Sequence, residues 1–292
     1  MTTVEQIRRA FERAGAGGTL HAVDLDRGGE IAVDADTPAV MASVFKLAVL
    51  AELFRAADAG DVDPRERLVV SGDGQTLTGI AQLRDAVEMS LRDLAQSMIA
   101  VSDCAAADAV FDRLGEAAIN ANLARLGLEA TTVRGCCRDM LAAAEGELAR
   151  TTARDMTRLL AAIWSDAAAS PTACAEMRRM LGLQVWSHRL ASGFPSDAIR
   201  VSGKTGTWPG VRNEVGVVEY ADGGRYAVAV FTATERRTAT LPEIDHVIGT
   251  AARIAVDALR RTDGGEGNRT PTSALQRPRA PVITTPPAGA QG

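Results

Sequence analysis

The chain predicts an α/β fold, more specifically an α+β sandwich, in which segments from the two ends of the sequence build one antiparallel sheet and a helical lobe is inserted between them. Three observations predict it. Near the N-terminus, residues 19–24 and 30–33 are short β-prone runs flanking Arg27-Gly28-Gly29, which is a hairpin signal. Near the C-terminus, residues 199–202, 214–220 and 225–231 alternate again, the last two across an Asp222-Gly223-Gly224 turn. Between them, over residues 41–194, apolar side chains recur at helical spacing.

Taken in order, residues 1–14 form a charged amphipathic stretch with Val4, Ile7 and Phe11 on one face. It lacks the apolar core and small-residue cleavage site of a secretory signal, so a cytoplasmic location is expected of the chain as written, and a secreted or periplasmic one only of a longer chain. After Pro38 the pattern turns helical. Phe45, Leu47, Val49, Leu50, Leu53 and Phe54 predict a strongly apolar helix ending near Gly60, with Ser43 at its start and Lys46 one turn on. Further helices are expected over residues 91–100, 105–114, 117–126, 153–164 and 174–181, and a closing helix over 242–261. One catalytic domain spanning residues 1–262 is expected, its sheet lobe drawn from about residues 1–40 and 195–262. Residues 263–292, rich in Pro, Gly, Thr and Arg, are expected to be a disordered tail.

Composition excludes several function classes. At 292 residues and 46% hydrophobic, the chain can bury a large core. Its net charge of −5, with basic residues spread along the length, offers no basic stripe and no polybasic anchor, so neither nucleic acid nor membrane is an expected partner. A small-molecule substrate and a monomer are expected. His21, His188 and His246 have no metal-ligand spacing, and no metal or cofactor is expected. Gly15-Ala16-Gly17-Gly18 precedes a strand and does not follow one, which argues against a phosphate loop. Cys104, Cys136, Cys137 and Cys174 lack zinc-site spacing and read as small buried residues, with the vicinal Cys136-Cys137 as the pair with redox capacity.

The most informative feature is the use of lysine: two lysines against thirty arginines. A guanidinium stays charged and cannot act as a base, so the positions that keep lysine are candidates for proton chemistry. Both lie in short hydroxyl- or glycine-containing motifs, Ser43-Val44-Phe45-Lys46 and Lys204-Thr205-Gly206. Ser-x-x-Lys puts a hydroxyl and an amine on one helix face, where a neutral lysine can take the serine proton. Fifty-nine residues after Ser43 comes Ser102-Asp103-Cys104, and Lys204 follows Ser102 by a hundred and two.

In order and approximate spacing, this set resembles the Ser-x-x-Lys, Ser-Asp-Asn and Lys-Thr-Gly signature of class A β-lactamases and penicillin-binding proteins. The surroundings of the motifs, including Pro38 to Ser43, Met98 to Asp103 and Arg212-Asn213-Glu214-Val215, are similar too, and the resemblance covers about residues 15–260. It implies a β-lactamase/transpeptidase-like fold and a serine hydrolase acting through an acyl-enzyme. Ser43 would be the nucleophile, Lys46 the base or proton relay, and Ser102 the donor to the leaving nitrogen. Lys204 would hold that network and attract a substrate carboxylate with Thr205, Gly206, Thr207 and Arg212. The backbone amides of Ser43 and Thr207 would form the oxyanion hole, and Trp208 would wall the cleft.

Two departures bear on substrate and turnover. Cys104 stands where the family has an asparagine that orients the substrate's acylamino carbonyl. The family's deacylating glutamate, on a loop ending in Thr-Thr, has no counterpart: counting back from Thr151-Thr152 lands near Cys137. Asp139, Glu145 and Glu147 are the carboxylates in that region. The resemblance therefore leaves open β-lactam hydrolysis or slow acylation, an esterase, amidase or D-alanyl peptidase-like activity, and β-lactam binding without turnover.

Overall fold

A computed structural model of the chain describes residues 1–72, 74, 76, 78–142 and 149–263. The expected tail from residue 264 onward, with Glu145 and Glu147, lies outside the described residues.

The N-terminal stretch forms helix α1 (Thr3–Arg13), started by a capping box in which the Glu5 amide donates to Thr2 Oγ1 and the Thr2 amide to Glu5. Strands β1 (Gly17–Asp24), β2 (Glu30–Val33), β7 (Ile199–Trp208), β8 (Val211–Tyr220) and β9 (Arg225–Ala233) form one antiparallel sheet in the order β2-β1-β9-β8-β7. The pairing of β1 with β9, Leu20 opposite Val230, joins the two ends of the chain as expected. Period-two alternation sends the two sets of β9 side chains to different cores. Tyr226, Val228 and Val230 pack under α1 and the closing helix α9 (Pro242–Asp263), whereas Ala227, Ala229 and Phe231 pack against the central helices. Helix α9 runs to Asp263, two residues beyond its expected end.

The central segment contains α2 (Phe45–Ala59), α3 (Leu91–Ala100), α4 (Cys104–Leu114), α5 (Glu116–Arg125), α6 (Cys137–Ala142), α7 (Ala153–Trp164) and α8 (Pro171–Leu181). Helix α2 is apolar on nearly every side, which marks a helix buried all round, and it ends at Gly60 in the left-handed conformation. Expected helix positions agree within a few residues. The segment is not all helical, however: β3 (Ala39–Val40) pairs with β6 (Arg150–Thr151), and β4 (Arg67–Val70) with β5 (Val87–Ser90). These strands have two to four residues, and Val69 points to solvent at 72% exposure, so no alternating pattern announces them.

Two further differences concern the motifs. Ser43 is not the first residue of the long helix but lies in a one-turn 3-10 segment, Ala42–Val44, ahead of α2. Lys204-Thr205-Gly206 lies in the middle of β7, which runs on past the strand expected over residues 199–202. Gly206 lets β7 press against the Ser43 turn: a Cβ there would lie 2.7 Å from the Met41 carbonyl oxygen. Asn213 on β8 adds a clamp, its side-chain amide donating to the carbonyls of Val40 (2.8 Å) and Met41 (3.3 Å). Since backbone meets backbone at Gly206, Gly206→Ala should lower the unfolding free energy by about 1–3 kcal/mol in a denaturant titration. Wild-type stability in that variant would show that the strand and turn separate at no cost.

Candidate active site

Ser43 is half-exposed in a cleft of ≈ 720 Å³ between β7 and the helices, together with Ser102, Thr205, Thr207, Arg189 and Arg212. Backbone strain marks the same place. Among the described non-glycine residues with positive φ are Ala42, immediately before the nucleophile candidate (φ 46°), and Ser102 itself (φ 59°). Such conformations cost on the order of 1–3 kcal/mol and persist where surrounding structure enforces them.

For Ser102 the enforcing group is Asp103. Its buried carboxylate caps α4 through the Ala106 amide (3.1 Å) and also accepts from the Ile80 amide (2.8 Å) and the Ser97 hydroxyl (2.7 Å). Three donors on one buried carboxylate fix the corner that presents Ser102 on one side and Cys104 on the other.

The two lysines converge on Ser102, and neither has any exposed surface. Lys46 Nζ donates to the Ser102 carbonyl (2.7 Å), to Ser102 Oγ (3.3 Å) and to Cys104 Sγ (3.3 Å). Lys204 Nζ reaches Ser102 Oγ from the other side at 3.0 Å and donates to the Thr205 carbonyl at 2.9 Å. In this state Lys46 is turned towards Ser102 and Cys104, and no hydrogen bond joins it to Ser43.

Electrostatics separate the two amines. Burial pulls the Lys46 ammonium down, but the neighbouring Cys137 and Cys104 sulfurs more than reverse this, and its pKa is raised. Burial, and then the charge of Lys46, hold Lys204 well below the usual lysine range. A hydrogen bond from the Cys137 thiol, and after it the Lys46 ammonium, push the Cys104 thiol down to about 6 against the opposing effect of burial. Cys137 moves the opposite way, its thiol held protonated by that bond to Cys104 and by burial. Behind Lys204, burial pushes the carboxyl of Glu214 up to about 7.

The expected carboxylate site is only partly as drawn. Thr205 and Thr207 line the cleft, but the Arg212 guanidinium donates to the carbonyls of Trp208, Val211 and Ala239, so it contributes charge more than free donors. Beside it lies Arg189, which the sequence does not single out. It is buried, donates to the Gly206 and Asn213 carbonyls and to Thr207 Oγ1 (2.8 Å), and pairs with Asp245 at 2.6 Å. Gln184 also escaped notice; it accepts from the Thr205 amide and donates to Glu214. Trp208 packs towards the helical core, and the tryptophan on the cleft is Trp186.

Among the carboxylates considered for water activation, Asp139 is a local cap: it accepts from the Cys136 amide (2.9 Å) and thiol (3.1 Å). Cys137, near the position that spacing assigns to the glutamate, is the side chain that reaches the Lys46 and Cys104 cluster. Among the described residues no group of three or more His, Cys, Asp and Glu could hold a metal ion, and no helix is long and apolar enough to cross a membrane.

A nucleophile candidate on a strained turn, two buried amines and a bridging hydroxyl at the seam of sheet and helices place the molecule among β-lactamase-like serine hydrolases. Its membership is direct: residues 2–259 match the model of the beta-lactamase enzyme family, and the chain belongs to that family. It is 29% identical to a beta-lactamase regulatory protein, BlaB, of Streptomyces cacaoi, over 88% of this chain and 97% of the relative. It is 26% identical to beta-lactamase 1 of the same organism, over 82% and 79% respectively. A solved beta-lactamase from Sphaerobacter thermophilus superposes with a TM-score of 0.78 at 27% identity, covering 89% of this chain and 96% of that one. The family thus includes one relative named for hydrolysis and one named for regulation.

The Cys104 shift has a direct readout. Iodoacetamide should alkylate Cys104 with a rate that climbs through pH of about 6, well below the ordinary thiol range of about 8.5. Lys46→Met should move that midpoint upward, because the ammonium that favours the thiolate is gone. A midpoint near 8.5 in the unsubstituted protein would show that no ion pair forms.

Proposed function

We propose that the chain is an acyl-transfer enzyme in which Ser43 opens a β-lactam, or attacks a related amide or ester, and forms a long-lived acyl-enzyme. The observation that carries this reading is the position of Ser102 Oγ, 3.3 Å from Lys46 Nζ and 3.0 Å from Lys204 Nζ, in the cleft that holds Ser43.

Lys46 starts as an ammonium paired with the Cys104 thiolate. For it to accept the Ser43 proton, it first passes its own proton to the sulfur, an uphill step because the Lys46 pKa is raised and that of Cys104 lowered, and then swings to the serine hydroxyl. The serine alkoxide attacks the carbonyl carbon, and the amides of Ser43 and Thr207 receive the developing oxyanion, at roughly 3 kcal/mol per donor in hydrolases. As the carbon–nitrogen bond breaks, Ser102 gives its proton to the nitrogen and is resupplied from the lysines on either side. A substrate carboxylate docking at Thr205 and Thr207 would restore charge to Lys204, whose amine is otherwise disfavoured as a cation.

Release is the weak step. The Cys137 thiol holds its proton and makes a poor base for water, which favours trapping over turnover. The same feature supports a second reading, a β-lactam sensor, in keeping with the regulatory name of the Streptomyces cacaoi relative.

Intact-protein mass spectrometry after mixing with benzylpenicillin should reveal an adduct on Ser43 that decays slowly, absent from Ser43→Ala. Lys46→Arg should slow its formation by about 10²-fold or more, since a guanidinium cannot take the proton. An adduct on Ser43→Ala would discard the nucleophile. No adduct with any penicillin or chromogenic cephalosporin would point to another ester or amide.

Cys137→Glu tests the release step, because it sets a carboxylate beside Lys46. The adduct should then decay about 10²-fold faster with turnover of a chromogenic cephalosporin, provided thermal unfolding shows the variant folded. An unchanged lifetime in a folded variant would mean that the missing base is not what limits release.

A further inference from the structure

The vicinal Cys136-Cys137 pair does not act as a pair. Cys136 turns away, donating its thiol to Asp139 at 3.1 Å, and Cys174 sits apart beside the Ala169 carbonyl. The two cysteines that the fold brings together are Cys104 and Cys137, thirty-three residues apart. Asp108, one turn along α4 from Cys104, accepts from the amides of Cys137 (2.7 Å) and Arg138 (3.2 Å) and pins the start of α6 against the start of α4. This sets Cys137 beside Cys104, whose sulfur accepts from Lys46 at 3.3 Å and is only partly buried.

We propose that Cys104 and Cys137 are a dithiol site for hydroperoxides, which closes to a disulfide in the active-site floor. The geometry supplies what the reaction needs: an attacking sulfur at a helix N-terminus, a cation beside it, and a resolving thiol on the helix start pinned next to it. The Cys104 thiolate attacks the terminal oxygen of the hydroperoxide and the oxygen–oxygen bond breaks. Lys46 protonates the departing alkoxide or hydroxide, which leaves as alcohol or water. Cys104 is now a sulfenic acid. The Cys137 sulfur attacks it, the sulfur–oxygen bond breaks, and the thiol proton leaves with the hydroxyl as water. Two thiols are oxidised and one peroxide bond is reduced.

The reduced full chain, treated with hydrogen peroxide, should lose about 2 Da, the two hydrogens of a disulfide. Non-reducing peptide mapping should recover Cys104 linked to Cys137, and dithiothreitol should reverse it. Cys137→Ser should stop at a sulfenic acid that dimedone captures on Cys104, Cys104→Ser should give neither product, and Cys136→Ser should behave as the parent protein. Oxidation of Cys136 or Cys174 ahead of Cys104 overturns the proposal, as does oxidation of Cys104 to the sulfinic acid without linkage to Cys137.

Discussion

Two lysine side chains without exposed atoms share one hydroxyl, and most of the site follows from that constraint. Two ammonium groups cannot both be charged at this separation in a dry interior unless anions neutralise them, because desolvation and mutual repulsion both favour loss of a proton. The structure meets the problem asymmetrically. Lys46 keeps its proton because the Cys104 thiolate lies against it, and Lys204 becomes the weaker cation with only Glu214 behind it. Of the two amines, Lys204 is the one that binding of a substrate anion would change most.

Such an arrangement needs a frame that cannot relax. Gly206 lets β7 approach the Ser43 turn to backbone contact, Asn213 ties the same turn to β8, and Asp103 locks the corner carrying Ser102. The strained residues, Ala42 and Ser102, are the ones these contacts hold. Arg189 stitches the far side, joining the carbonyls of β7 and β8 to Asp245 at the start of α9. The strain is held by strand and helix packing on either side of the cleft and by the Ile80 amide on Asp103, which together keep Ser43 and the bridging hydroxyl in place.

Much of this was legible in the sequence. The retention of lysine at two positions, the order of the three motifs and the β-patterns at the two ends led to the sheet built from both termini and to Ser43, Lys46, Ser102 and Lys204 as neighbours. What escaped was the work done by backbone contacts. Arg189 has no signature, since a buried arginine that binds carbonyls reads like any other arginine in a chain with thirty. The β4–β5 pair was hidden because its strands are short and one apolar residue faces water. The strand character of Lys204-Thr205-Gly206 was masked by its glycine, which serves close packing here and not a turn.

The two departures from the family pattern, Cys104 in place of the asparagine and the missing glutamate near Cys137, look independent along the chain. In space they are one feature. A lone cysteine at position 104 would have the Lys46 ammonium as donor but not the Cys137 thiol that favours its thiolate most, and a lone cysteine at 137 would be a buried thiol of little consequence. Together they form a donor–acceptor pair that supplies Lys46 with a counter-charge of sulfur, where the family pattern would place an amide and a carboxylate. Sulfur differs from oxygen in being a soft nucleophile that can be oxidised and reduced again. An amide and a carboxylate can only orient a ligand or exchange protons, whereas the sulfur pair also places redox-capable groups beside the buried amines.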